Sequence, residues 1–178
     1  MFLTKIKAVK AFILDIDGIL TDGTVLVTES GDQLRKFNVR DGYAMRLAVK
    51  RGFQICIISG GNSASVLFRL NGLGITEIHL GIDKKLEVYQ QFIEKHNLAP
   101  ENILYMGDDI PDIPVMKVVG VSACPEDAVE EVKMISDYIS AQSGGTGCVR
   151  DVIEKVLKIQ GKWYDPDPSA QDDTITSS

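Results

Sequence analysis

The sequence predicts an α/β protein built on a doubly wound parallel sheet. Short apolar runs recur along the chain, segments with helical spacing separate them, and polar side chains follow several runs directly. Strands that alternate with helices form a parallel sheet with helices on both faces. Such a Rossmann-like sheet binds ligands at the carboxyl ends of its strands.

The first strand is predicted over the apolar run from Val9 to Leu14, which only Lys10 interrupts. Residues 24–38 then differ from the rest of the chain, because two β-prone segments flank a turn sequence at 29–32. We expect a β-hairpin inserted directly after the first strand. A lone hairpin is marginally stable in water, so its apolar side chains should pack against something else.

The remaining elements alternate in type. Strands are predicted at 54–58, 75–80, 103–106, 119–122 and 138–139, and helices at 42–49, 63–70, 84–96, 111–117, 128–134 and 149–160. We expect one domain over residues 1–163. Residues 164–178 are acidic, rich in Pro, Ser and Thr and poor in apolar side chains, and we expect this tail to be disordered.

Composition restricts the possible functions. With 178 residues, 44% of them apolar and 25% charged, the chain is typical of a soluble globular domain. Its net charge of −6 argues against binding to nucleic acid or to an anionic membrane. Three widely spaced cysteines predict neither a disulfide framework nor a zinc site. Without a signal-peptide pattern or a membrane-spanning run, we expect a cytoplasmic protein.

Acidic and hydroxyl side chains stand at three predicted strand ends. Asp15 and Asp17 follow the first strand, Ser59 follows the next core strand, and Asp108 and Asp109 follow the strand over 103–106. The carboxyl ends of parallel strands lie on one edge, so these groups should converge. Two carboxylates at i and i+2 repel each other unless a cation lies between them or one is protonated.

These groups suit phosphoryl transfer, which needs a nucleophile, neutralised phosphoryl oxygens and a proton for the leaving oxygen. Asp15 can form an aspartyl-phosphate, while Asp17 can protonate the leaving oxygen and later deprotonate the attacking water. The Asp15 and Asp108 carboxylates and the Asp17 backbone carbonyl would hold Mg²⁺. Ser59, with the Gly60 amide behind it, suits a phosphoryl oxygen.

Residues 15–23, with the sequence DIDGILTDG, resemble the DxDGxLTDG nucleophile motif of the haloacid dehalogenase superfamily of phosphatases. More narrowly, residues 6–163 resemble its capless sugar-acid phosphatases. The resemblance implies a lysine at the start of the helix after the third core strand, and the spacing favours Lys85 over Lys84. Asp109 and Asp112 would support the metal ligands from behind, although they could also simply cap a turn.

The resemblance also implies a set of substrate contacts, since residues 38–43, NVRDGY, match a segment that these phosphatases use near the sugar acid. The implied contacts are Asp17, Asn38, Val39, Arg40, Asp41, Gly42, Arg46, Gly60, Arg69 and Lys85. Arginine suits a carboxylate because it donates two parallel hydrogen bonds. Without the resemblance, Arg46 and Arg69 would be interpreted as solvated helix residues.

The implied activity is Mg²⁺-dependent hydrolysis of 3-deoxy-D-manno-octulosonate 8-phosphate, a lipopolysaccharide precursor. Many relatives have arginine where this chain has Gly61, which leaves a nine-carbon, sialic-acid-type 9-phosphate open as the substrate. A phospho-accepting receiver domain is a rival, although Asp17 argues against it because a receiver needs its acyl-phosphate to persist. A non-catalytic binding subunit is a further alternative.

The intervals that carry cap domains in larger superfamily members are short here. Only the hairpin fits between Asp17 and Asp41, and only one helix and one strand fit between Ser59 and Lys85. Without a lid, water must be excluded in another way. The resemblance implies a homotetramer in which the hairpins meet and each active site borders a neighbouring subunit.

Overall fold

The computed structural model describes residues 1–164, and residues 165–178 of the expected tail lie outside this range. The strands are β1 (Ala11–Leu14), β2 (Leu26–Val27), β3 (Gln33–Leu34), β4 (Gln54–Ile58), β5 (Glu77–His79), β6 (Ile103–Met106), β7 (Val121–Cys124) and β8 (Tyr138–Ile139). The helices are α1 (Phe2–Lys5), α2 (Val39–Lys50), α3 (Ala64–Gly72), α4 (Lys85–Lys95), α5 (Ile113–Met116), α6 (Glu130–Ile135) and α7 (Cys148–Ile159).

Six strands form a parallel sheet in the order β5-β4-β1-β6-β7-β8, which confirms the predicted doubly wound fold. From β1 the chain moves outward through β4 and β5, and then returns to place β6 on the other side of β1. The crevice between the carboxyl ends of β1 and β6 is therefore a topological switch point, where open α/β sheets bind ligands.

The alternation of side chains along each strand builds a separate core on each face of the sheet. Phe12 and Leu14 of β1 face the core that α2, α3 and α7 cover. Ala11 and Ile13 face the core under α4, α5 and α6. The Asp15 amide continues the sheet by donating to the Met106 carbonyl at 3.2 Å, and the Asp15 side chain contacts Lys85 on the α4 side.

The hairpin of β2 and β3 is shorter than predicted. Its antiparallel register pairs Leu26 with Leu34, and each strand has only two residues. Val25, Leu26, Val27 and Leu34 are exposed by 38%, 66%, 63% and 48%, whereas Phe37 at the base packs against the core. The expected partner for the hairpin's apolar side chains is therefore absent from residues 1–164 of a single chain.

Several predicted element bounds shift by two or three residues, and one segment was not predicted. The strand predicted at 119–122 begins two residues later, at Val121, because the Gly120 amide bonds to the Pro100 carbonyl and starts the strand after a turn. The helix α1 and a 3₁₀ turn at Ile6–Ala8 were not predicted. Ile6 of that turn is fully buried, so the segment closes one end of the core.

Within residues 1–164 there is no cap domain, as predicted. The hairpin is all that separates β1 from α2, and α3 and β5 are all that separate β4 from α4. Among the helices of this range, none combines the length and apolar character needed to cross a bilayer. The domain boundary at residue 163 stays a prediction.

Candidate active site

A cleft of about 420 Å³ opens at the carboxyl edge of the sheet. Side chains that follow β1, β4 and β6 meet there, together with the first residue of α4. Its lining residues are Asp15, Asp17, Gly23, Ser59, Gly60, Gly61, Ile82, Asp83, Lys85, Asp108, Asp109, Pro111 and Asp112. The structure thus brings together all the residues predicted for catalysis and for the metal.

Asp15 and Lys85 form an ion pair at the base of the cleft. The Asp15 Oδ2 atom lies 2.9 Å from the Lys85 Nζ atom, and the Ile16 amide donates to Asp15 Oδ1 at 2.7 Å. Both side chains are nearly inaccessible to solvent. Burial alone would lower the pKa of Lys85, but its pKa is raised because the carboxylates of Asp15 and Asp112 outweigh that effect. Lys84, the alternative lysine, is exposed and pairs with Glu87.

Asp112 connects several elements around the cleft through hydrogen bonds. Its Oδ1 atom accepts hydrogen bonds from Lys85 Nζ at 2.7 Å and from the Tyr105 hydroxyl at 2.6 Å. Its Oδ2 atom accepts from the Asp108 amide at 2.9 Å and the Asp109 amide at 3.3 Å. A fully buried carboxylate with four donors fixes the loop after β6 and the position of the lysine. Sequence analysis missed Tyr105, whose place in an apolar run predicted only a core residue.

Asp109 has a smaller role in the geometry. Its carboxylate accepts a hydrogen bond from the Ile110 amide at 2.7 Å and caps the 3₁₀ turn Ile110–Asp112. For Asp109, the arrangement matches the turn-capping alternative. Its position beside Asp108 still places it at the mouth of the cleft.

Carboxylates crowd together where Mg²⁺ is expected. Asp15, Asp108 and Asp112 each offer one oxygen, and these three atoms lie within 4.8 Å of one another. Burial and then Asp112 raise the pKa of Asp15 to about 6, and burial, Asp112 and Asp15 raise that of Asp108 to about 7. The buried Oδ1 atom of Asp108 has no hydrogen-bond partner among the described residues. Three neighbouring carboxylates with more negative charge than the nearby cations neutralise, and with one oxygen free of hydrogen bonds from the described residues, fit a hard divalent cation.

The local backbone allows this crowding only because residue 18 is glycine. Gly18 has a φ of +88°, and a Cβ atom there would lie 2.0 Å from Asp108 Oδ2. The Asp108 carboxylate therefore occupies the space that any side chain at position 18 would need. The glycine of the DIDG sequence therefore allows the Asp108 carboxylate to pack against the loop that carries Asp17.

Ser59 stands at the end of β4 as predicted. Its backbone amide continues the sheet by donating to the His79 carbonyl at 3.0 Å, and its hydroxyl accepts from the Gly61 amide at 3.3 Å. Gly60 is exposed in the cleft next to it. A hydroxyl and neighbouring amides at a strand end can bind a phosphoryl oxygen.

Asp17 has a partner that sequence analysis did not predict. Arg35, from the hairpin, donates from Nε to Asp17 Oδ1 at 2.7 Å and from Nη2 to Asp17 Oδ2 at 3.1 Å. The hydrogen bonds to Asp17 raise the pKa of Arg35. The available signal was an arginine directly after Leu34 on a short strand, since alternation directs one of the two side chains inward.

The structure does not bring the other predicted substrate residues to the cleft of this chain. These are Asn38, Val39, Arg40, Asp41, Gly42, Arg46 and Arg69, and none of them lines it. Asn38 instead caps α2, since its side chain accepts from the Arg40 and Asp41 amides. Arg69 reaches back to Gly42, where an added Cβ would lie 2.7 Å from its Nη2 atom.

Asp41 lies in the interior of the protein and does not line the cleft. Its side chain is 1% exposed, and its Oδ1 atom accepts from the Arg150 amide in the first turn of α7 at 2.7 Å. The first amides of a helix have no partner within the helix, so a buried carboxylate there stabilises the helix end. In contrast, Val39, Arg40 and Arg46 are exposed on the outside of α2.

Comparison with known proteins identifies the family of this chain. Residues 70–152 match the family model described as haloacid dehalogenase-like hydrolase. The 3-deoxy-D-manno-octulosonate 8-phosphate phosphatase KdsC of Escherichia coli strain K12 is 39% identical over 160 residues, covering 90% of this chain and 85% of that protein.

Solved structures are similarly close in shape. The 3-deoxy-D-manno-octulosonate 8-phosphate phosphatase from Yersinia pestis superposes with a TM-score of 0.89 at 33% identity, covering 91% of this chain and 88% of that one. The enzyme of the same name from Moraxella catarrhalis, in complex with a magnesium ion, a phosphate ion and a KDO molecule, has a TM-score of 0.88 at 34% identity, covering 91% of this chain and 93% of that one.

Proposed function

Because this chain belongs to the 3-deoxy-D-manno-octulosonate 8-phosphate phosphatases among the haloacid dehalogenase-like hydrolases, we propose that it hydrolyses that ester to the free sugar acid and phosphate. The observation that carries the proposal is the convergence of Asp15, Asp17, Ser59, Lys85 and Asp108 around one cleft at the switch point of the sheet. Membership of a hydrolase family argues against the receiver domain and against a non-catalytic subunit.

In the first step, an Asp15 carboxylate oxygen attacks the phosphorus atom, and the bond to the ester oxygen breaks. Lys85, which already neutralises Asp15, continues to balance charge as it passes to the phosphoryl group. Ser59 and the amide of Gly60 bind a phosphoryl oxygen. Asp17, at the wall of the cleft, delivers a proton to the leaving sugar oxygen.

In the second step, water hydrolyses the aspartyl-phosphate on Asp15. Asp17 has given up its proton, so it can take one from the attacking water. Asp15 and Asp108, with the Asp17 carbonyl, would hold Mg²⁺, which supplies positive charge against the phosphoryl oxygens when bound. Asp112 acts on the reaction only by keeping Lys85 and the loop of Asp108 in place.

The direct test is phosphate release from purified protein with 3-deoxy-D-manno-octulosonate 8-phosphate, with Mg²⁺ and after chelation. We expect Mg²⁺-dependent release that stops at one phosphate per substrate. A nine-carbon keto-sugar-acid 9-phosphate serves as the matched second substrate, because Gly61 stands where many relatives have an arginine. Faster turnover of that ester would move the assignment to the nine-carbon acid, and no release from either would refute the proposal.

We also propose a homotetramer in which the hairpins of different subunits cover one another. The support is the exposure of four apolar hairpin side chains, each of which would contribute roughly 1.5–3 kcal/mol if fully buried. In such an assembly the exposed Arg40 and Arg46 could serve a neighbouring subunit's cleft. A cytoplasmic location fits three buried free cysteines, which suit a reducing compartment.

A further inference from the structure

One charged side chain of the hairpin, Arg35, contacts a residue of the candidate site. Leu34, the last residue of β3, points outward and is 48% exposed. The next residue, Arg35, points the other way, and its side chain is only 7% exposed. A buried guanidinium carries a substantial desolvation cost, so its partners inside the protein indicate why it is there.

Those partners are the two carboxylate oxygens of Asp17. The Nε atom of Arg35 lies 2.7 Å from Asp17 Oδ1, and Nη2 lies 3.1 Å from Asp17 Oδ2. The remaining nitrogen, Nη1, is buried without a hydrogen-bond partner in the described part of the chain. The fork-to-fork contact fixes both the direction and the plane of the carboxylate, which a single hydrogen bond would not do.

Gly61 makes room for this pair. A Cβ atom at position 61 would lie 3.2 Å from Arg35 Nη2 and 3.2 Å from Asp17 Oδ2. Gly61 does not have a positive φ, so its backbone is open to other residues and the constraint is space alone. Any side chain here would press on the two atoms that form the second hydrogen bond.

Arg35 lies beside the cleft but does not line it. Asp17, Ser59 and Gly61 line both the cleft and a small adjoining pocket, whereas Arg35 lines only that pocket. The other buried cation near the cleft, Lys85, is engaged by Asp15 and Asp112. Arg35 therefore contacts Asp17 from the adjoining pocket and is not among the residues that line the cleft.

We propose that Arg35 is a positioning residue for Asp17, and that Gly61 provides the space this contact requires. The inference rests on the proposed function, in which Asp17 moves the proton in both steps. Two hydrogen bonds from Arg35 fix the plane of the Asp17 carboxyl group. The oxygen lone pair that they leave free, which carries the proton in the first step and accepts one in the second, therefore stays directed toward the reacting oxygen. Misplacement by about 1 Å can lower a rate by roughly 10²-fold.

The first experiment compares Arg35→Gln and Arg35→Lys with the wild type. We expect Arg35→Gln to lower kcat by roughly 10- to 100-fold while KM changes by less than about threefold, because Asp17 acts on chemistry rather than on binding. Arg35→Lys keeps the charge but loses the fork, so it should recover part of kcat. Lys36→Gln is the matched control, since Lys36 lies next to Arg35 on the hairpin and is 82% exposed.

The second experiment uses Gly61→Ala alone and combined with Arg35→Gln. The single change should lower kcat about two- to tenfold by pressing on Arg35 and Asp17. Once Arg35 is replaced, Asp17 is no longer held against the added methyl group and can move away from it, so the double variant should be about as slow as Arg35→Gln. Fully multiplicative effects would show that Gly61 and Arg35 act independently.

A crystal structure of Arg35→Gln supplies a readout besides activity. We expect the Asp17 carboxylate to leave the orientation it has in the wild type while Asp15 and Lys85 stay in place. Wild-type kcat in Arg35→Gln, or a rise in KM alone, would overturn the inference while leaving the phosphatase assignment intact. A wild-type protein that releases no phosphate from any ester would instead overturn the proposed function.

Discussion

The sheet edge and the hairpin both contribute to the candidate site, but they hold their side chains differently. At the sheet edge, Asp15, Lys85, Asp112 and Tyr105 form a buried network in which each carboxylate and the ammonium has at least two partners. In the hairpin, the strands have two residues each, and Arg35 reaches the site through its contact with Asp17.

This difference indicates that a single chain fixes the side-chain geometry of the two parts of the site to different extents. The elements that carry the network pack on both sheet cores, so its geometry follows from the fold of a single chain. The hairpin lies largely outside those cores, and its apolar side chains are exposed. We therefore expect changes at the sheet edge to act directly on chemistry, and changes on the hairpin to act through assembly and positioning.

The largest effect is expected from Asp15→Asn. An amide cannot form the covalent intermediate, so turnover should fall by at least about 10⁴-fold. The fold should survive, because Asp15 is a buried carboxylate whose pKa is raised to about 6 and an amide carries no charge to bury. The measurements are phosphate release and thermal melting, and near wild-type turnover would contradict a covalent mechanism on Asp15.

The next effect tests the network at the sheet edge. Lys85→Met leaves the Asp15 and Asp112 carboxylates without their common cation. Removing one partner of a buried ion pair costs about 3–5 kcal/mol, so both activity and the free energy of unfolding should fall. Lys84→Met is the control, because Lys84 is exposed and its pair with Glu87 should be worth less than about 1 kcal/mol. Equal losses of stability in the two variants would contradict the contrast.

The sequence predicted the sheet edge better than the hairpin for a physical reason. Asp15 and Asp108 follow apolar strands, and the topology of a parallel sheet is enough to bring such ends together. The contact of Arg35 with Asp17 depends on the direction in which the hairpin, whose strands have two residues each, folds back onto the sheet. A hydrophobic pattern in the sequence does not specify that direction.

The sequence also did not reveal which polar side chains are buried. The NVRDGY segment resembles a substrate-binding stretch, but Asp41 within it points at the first turn of α7, which lies 109 residues away in the chain. The start of β7 was also misplaced, because the apolar run on both sides of Gly120 gives no register by itself.

A smaller effect is expected on the hairpin. Replacing Val27 and Leu34 together with Asp adds charge to side chains that are exposed in one chain and covered in the proposed tetramer. The assembly should dissociate, and KM should rise roughly tenfold, which corresponds to about 1.4 kcal/mol of binding. Light scattering and steady-state kinetics provide the two readouts. Met134→Asp is the control, since Met134 is 84% exposed on α6, and a fully active monomeric wild type would refute the tetramer.

The smallest effect on activity is expected from Asp41→Asn, which tests whether Asp41 supports α7 or contacts substrate. Burial raises the pKa of Asp41 from 3.8 to about 6, even though hydrogen bonds from the Arg150 and Gly147 amides and the charge of Arg150 oppose the shift. Since the folded state holds the proton more tightly than the unfolded state, stability falls as the pH rises from about 4 to about 6, and the loss is complete above that range.

A shift of this size corresponds to at most about 3 kcal/mol. Asn keeps an oxygen for the Arg150 amide and has no charge to bury, so the variant should be as stable as the wild type or more stable at pH 7.5. Its advantage should shrink as the pH falls toward 4, while kcat and KM stay near their wild-type values. Denaturant unfolding at the two pH values tests the first expectation. A tenfold rise in KM with unchanged stability would instead return Asp41 to the substrate site.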